Sequence, residues 1–89
     1  MEIKVLKDED NYLELMLMEQ DVGFSNLIVS KLLETKSVTF AASSYEHPLK
    51  GNPILKIKAK SPHKELKHAL KGVVEDVEEF QKALKKELK

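Results

Sequence analysis

The chain has 89 residues, 42% hydrophobic and 34% charged, with zero formal net charge and no cysteine. A length of this order points to one domain over residues 1–89, one that buries only about 60–65% of its unfolded surface and gains from a partner. The absence of cysteine excludes disulfides, thiolate metal sites and cysteine nucleophiles and suits a cytoplasmic protein, and no apolar run approaches the ~20 residues of a membrane span.

Residues 2–7 read as a strand, opening with alternating charge and no signal-peptide core. Residues 8–11 are a polar turn. Residues 12–18 form a second strand, with Leu13, Leu15 and Leu17 on one face and Tyr12, Glu14, Met16 and Met18 on the other. The short turn makes the pair a hairpin. Residues 23–34 change period: Phe24, Leu27, Ile28, Leu32 and Leu33 recur at helical spacing, with Asp21 or Ser25 placed to cap the start. At ~100° per residue these positions and Val29 sweep roughly 240°, where one core-facing stripe needs little more than ~100°. This helix is expected to be covered on two sides, by its own sheet and by something else.

Residues 37–45 read as a third strand, Val38, Phe40 and Ala42 alternating with Thr39, Ala41 and Ser43. A loop follows with Glu46, His47 and Pro48, then Gly51 and Pro53. The fourth strand, residues 54–60, sets Leu55, Ile57 and Ala59 against Lys56, Lys58 and Lys60. Ser61 and Pro62 then open a long helix. Its Leu66, Leu70, Val73, Val77, Phe80 and Leu84 repeat at heptad spacing, a seam suited to a facing helix, with Leu88 one residue out of step. About 27 helical residues reach ~40 Å, against a radius of gyration of about 12–13 Å for a compact domain of this size, so the far half should overhang. The order β-β-α-β-β-α predicts an α+β fold, a mixed four-stranded sheet with helices on one face and a long C-terminal helix.

Charge is unevenly placed: residues 1–22 are strongly acidic and residues 50–72 strongly basic, and every basic side chain is lysine, which denies the chain bidentate recognition by arginine. Glu46 and His47 are the most reactive-looking pair, yet general acid–base catalysis also needs a pocket and further polar groups. His63 and His68 are five apart, not the four that sets two ligands on one helical face. The loop is therefore expected to be a turn fixed by its prolines, with no catalytic, cofactor or metal residues. The stripe of Lys56, Lys58 and Lys60 reads either as the solvent face of a half-buried strand or as a surface for phosphates, the basis of a stand-alone nucleic-acid-binding module; its own strand has no aromatic for base stacking. The two helices carry the strongest signal, because apolar faces of that extent mark association surfaces.

Several stretches, in this order, resemble the family of subunit L of archaeal RNA polymerase: Met1-Glu2-Ile3-Lys4-Val5-Leu6 with Asn11-Tyr12-Leu13-Glu14-Leu15, then Phe40-Ala41, Glu46-His47-Pro48-Leu49 and Leu55-Lys56-Ile57. That family is similar in fold to the dimerisation part of the bacterial alpha subunit. Before its first helix it reads Asp-His-Thr-Leu-Gly-Asn, where this chain has Asp21-Val22-Gly23-Phe24-Ser25-Asn26. Contacts made by the missing His-Thr pair and glycine are not carried over. The resemblance implies a non-catalytic, cofactor-free assembly subunit that pairs with a larger D-type subunit to form the platform for the large catalytic subunits, without sequence-specific nucleic-acid binding, membrane association or a small-molecule substrate. Phe24, Leu27, Ile28, Leu32, Leu66, Leu70, Val73, Val77, Phe80 and Leu84 are the expected partner-interface residues.

Overall fold

A computed structural model describes residues 2–45 and 51–88. The six elements are β1 (Ile3–Glu9), β2 (Tyr12–Leu17), α1 (Val22–Leu33), β3 (Val38–Tyr45), β4 (Pro53–Ala59) and α2 (Pro62–Glu87). The strands form one sheet in the order β1-β2-β4-β3, both helices pack against it, and α2 is the long one, so the expected α+β layout holds. The sheet is not mixed: all three ladders among the described residues are antiparallel. The crossover through α1 does leave β2 and β3 parallel, but β4 is hydrogen-bonded between them and no parallel pair forms.

Local chemistry accounts for most boundaries. Asp21 caps α1 by accepting a 2.9 Å hydrogen bond from the Gly23 amide, which satisfies an otherwise orphaned donor. Ser61 stands at the N-cap of α2, but its hydroxyl makes no capping bond; Pro62, with no N–H to satisfy, opens the helix instead. Between β2 and α1, Glu19 is left-handed at φ 57, and its amide is held by Asn52 Oδ1 at 2.7 Å. The expected turn at Glu46, His47, Pro48 and Leu49 lies outside the described residues.

Leu13, Leu15 and Leu17 of β2 and Leu55, Ile57 and Ala59 of β4 point to the helices and meet Ile28, Leu32 and Ala69 in a single core. The period-two reading of β2 and β4 is thus borne out. On β3 it is not. A bulge between Val38 and Phe40 breaks the alternation: Val38 pairs with Ala59 on the helix side, while Phe40 pairs with Lys58 on the other face. The extra residue is Thr39, whose hydroxyl donates to the Lys58 carbonyl at 2.9 Å. A second bulge, between Val5 and Lys7, interrupts β1 at Leu6.

The helices rest on β2, β3 and β4. The molecule measures 47 × 33 × 17 Å with a radius of gyration of 14.5 Å, above the 12–13 Å or so of a compact domain. The excess comes from α2, whose 26 residues extend roughly 39 Å. Every residue from Val74 to Leu88 is exposed, so the expected overhang is present.

Candidate interaction surface

α1 meets its own sheet through Ser25, Ile28 and Leu32, which are all but fully buried. Ser25 stands on the core-facing side, and its hydroxyl hydrogen-bonds that of Ser43 on β3, so a polar atom placed there is paired rather than orphaned. Phe24 and Val29 flank this stripe, half-buried against the core. Leu27 turns away from it and is 45% exposed.

On α2, Ala69 is buried, and Leu66 and Val73 are half-buried. Farther round and farther along, the seam opens to solvent at Leu70, Val77, Phe80 and Leu84, Phe80 reaching 65% exposure. Leu27 of α1 and Val73, Val77 and Phe80 of α2 line one groove, with Asp76 as its polar member. Its volume is about 170 Å³, below the roughly 300–1,000 Å³ of small-molecule sites. It has room for a side chain or two from a facing surface.

One ion pair fixes this groove. The Lys31 methylenes run past Gly72, where a Cβ would stand 3.6 Å from Lys31 Cδ, and its ammonium reaches Asp76 Oδ2 at 2.6 Å. Residues 72 and 76 are one turn apart, so the lysine lies along α2 like a strap. The hydrogen bond to Asp76 holds the Lys31 ammonium above its ordinary range, against the opposing effect of burial. Glu34 adds a longer contact at 3.8 Å.

The residues named from sequence therefore divide. Leu27, Leu70, Val73, Val77, Phe80 and Leu84 form an accessible apolar strip along the groove and the overhang, with Phe24 and Leu66 at its buried margin. Ile28 and Leu32 are corrected: at 3% and 1% exposure they are closed off by this chain's own core and have no area to offer a partner. The 240° arc on α1 is real, but its centre faces home. Val74 and Leu88 of α2, at 56% and 72% exposure, and Leu33 of α1, at 59%, lie outside the interface residues named from sequence. Leu70, Val74, Val77, Leu84 and Leu88 form a second seam that shares three members with the first, and this spacing was readable in the sequence. The Lys31–Asp76 pair left no such signal.

The other candidates remain apart. His63 Nε2 bonds Asp8 Oδ1 at 2.7 Å, tying the start of α2 to β1. Among the described residues no group of three or more metal-capable side chains converges, and no helix is long and apolar enough to cross a membrane.

A family model described as the RNA polymerase Rpb3/Rpb11 dimerisation domain matches residues 12–83. Curated relatives include the DNA-directed RNA polymerase subunit Rpo11 of Metallosphaera sedula, 40% identical over 76 residues, covering 82% of this chain and 84% of that one. Rpo11 of Sulfurisphaera tokodaii is 39% identical over 83 residues, covering 90% and 89% respectively. Rpo11 of Methanothermobacter thermautotrophicus is 33% identical over 82 residues, covering 92% and 96%. The crystal structure of DNA-directed RNA polymerase subunit L from Thermoplasma acidophilum superposes with a TM-score of 0.84 over 97% of this chain and 87% of that chain; at 22% identity it speaks for the fold.

Proposed function

Because the chain belongs to the RNA polymerase Rpb3/Rpb11 dimerisation-domain family, we propose that it is a non-catalytic assembly subunit of a DNA-directed RNA polymerase. It pairs through the α1–α2 groove and the α2 overhang with a larger D-type subunit, and the pair is the cytoplasmic platform on which the large catalytic subunits assemble. The whole chain acts as one dimerisation unit and carries no cofactor.

The observation that carries this reading is the apolar strip itself. Leu27, Leu70, Val77, Phe80 and Leu84 are each more than a third exposed and follow one another from the groove onto the overhang. Leaving such a strip in water is costly at roughly 25 cal/mol per Å² of apolar area. A facing helix would enter the groove between Leu27 and Phe80 and then follow the seam.

Co-expression with the D-type subunit of the same source, followed by light scattering, tests the reading. A stable one-to-one heterodimer is expected. Changing Leu70 and Val77 together to aspartate should abolish pairing while circular dichroism keeps its native form, because neither residue belongs to the core. A double variant that still co-purifies would overturn the assignment of the strip.

A further inference from the structure

The sheet face turned away from the helices carries a second surface, unrelated to the groove. Across all four strands one row reads Glu9–Tyr12–Lys58–Phe40, and the next reads Lys7–Glu14–Lys56–Ala42. Phe40 joins the first row only because the bulge at Thr39 turns it to this side. The strand that carries the lysines has no aromatic of its own, but its two neighbours set one on each flank of Lys58. Tyr12, Lys58, Phe40, Thr39 and Glu9 together line a shallow concavity. Phe40 is 46% exposed. Lys7 stands 5.9 Å from the centroid of the Tyr12 ring.

We propose that this aromatic–lysine–aromatic row binds single-stranded nucleic acid. Adjacent strands are about 4.8 Å apart, so Tyr12 and Phe40, separated by β4, lie roughly 10 Å apart, and each ring takes its own base. Stacking on such rings tolerates any base, because every base has a π-face. Lys58 sits between the rings, where it meets the connecting phosphate. On the two rows and the adjoining Lys4 position, four lysines (Lys4, Lys7, Lys56 and Lys58) face two carboxylates (Glu9 and Glu14). The balance is positive but modest, and the Tyr12 hydroxyl already donates to Glu14 at 2.7 Å. Binding is accordingly weak, strongly salt-dependent and without sequence preference. It does not rest on the assembly role, and the groove on the opposite side of the sheet can be occupied at the same time.

Fluorescence anisotropy of the full-length chain with labelled oligo(dT) and oligo(U) of about a dozen nucleotides tests this at low salt. Saturable binding is expected. Phe40→Ala should weaken it about tenfold and Phe40→Tyr should not. Lys58→Gln should lower the slope of log K against log salt by about 0.7. Circular dichroism checks that each variant is folded, and both positions lie outside the core. Flat titrations at low salt would overturn the proposal. So would binding that neither Phe40→Ala nor Lys58→Gln alters. Poly-glutamate competing with the same Lys58 dependence, while Phe40→Ala is silent, would assign the face to an acidic protein surface and overturn it equally.

Discussion

Tyr12 shows how far one contact can move a side chain's chemistry. Its hydroxyl donates to Glu14 two residues along the same strand. That hydrogen bond, reinforced by burial and the charges of Glu14 and Glu9, pushes the phenol up from its ordinary 10.0 to about 12. The folded chain then keeps a proton that the unfolded chain releases, so the stabilisation is complete below about pH 10 and is lost as pH rises toward 12. In a Tyr45→Phe chain, phenolate absorbance should report Tyr12 alone with a midpoint near 12, and Glu14→Gln should bring it back down. A midpoint at the ordinary value in the parent chain would mean that the hydrogen bond is not held in solution. At this scale the sequence is least legible. Glu14 is close to Tyr12 in the chain and its role is readable from strand geometry, whereas Lys31 and Asp76 are brought together only by the crossing of two helices. Ser25 is a similar case: a hydroxyl on an apolar helical face looks misplaced until Ser43 is seen opposite it.

Among the elements, the strongest periodicities were the most reliable guides. The alternation of Leu13, Leu15 and Leu17 and of Leu55, Ile57 and Ala59 is enforced by burial on one face, and the folded chain keeps it. β3 lacked that enforcement. Its residues are mostly small or partly exposed, and one extra residue at Thr39 changes the facing of Phe40 without any marker in composition. On α1 the width of the apolar arc does not tell which residues face which side, and only the fold shows that Ile28 and Leu32, at its centre, face the chain's own core. α2 gives the clearest prediction at this scale. Its residues beyond Val77 are all exposed, so truncation after Val77 should leave the strands and the Lys31–Asp76 pair intact. The change in unfolding free energy should be about 1 kcal/mol or less, as for other exposed sites. Pairing with the D-type subunit should fall at least about tenfold, since Phe80 and Leu84 are lost. Full pairing by the truncated chain would confine the interface to the groove.

As a whole molecule, the chain is a two-layer body 17 Å through, with its helix layer only partly covered. A partner that closes that layer stabilises the folded form by mass action. With partner a hundredfold above its dissociation constant the gain is about 2.7 kcal/mol, which for a domain of this size should raise the thermal midpoint by about 15 °C. Differential scanning calorimetry of the chain with and without the D-type subunit measures it, and an unchanged midpoint would count against a shared folding unit. The two β-bulges have one further consequence. They fall in β1 and β3, the outermost strands of the sheet, while the ladder joining the inner strands β2 and β4 runs without a break. A straight outer strand is a template on which further chains could add, row upon row, into fibrils; a kinked one is a poor template. Ile3, Val5 and Leu6 leave β1 with exposed apolar side chains that would favour such growth, and the kink at Leu6 interrupts it. Stickiness is thereby confined to the helices, where a single partner would close it, and discouraged at the sheet margins, where it would propagate without end.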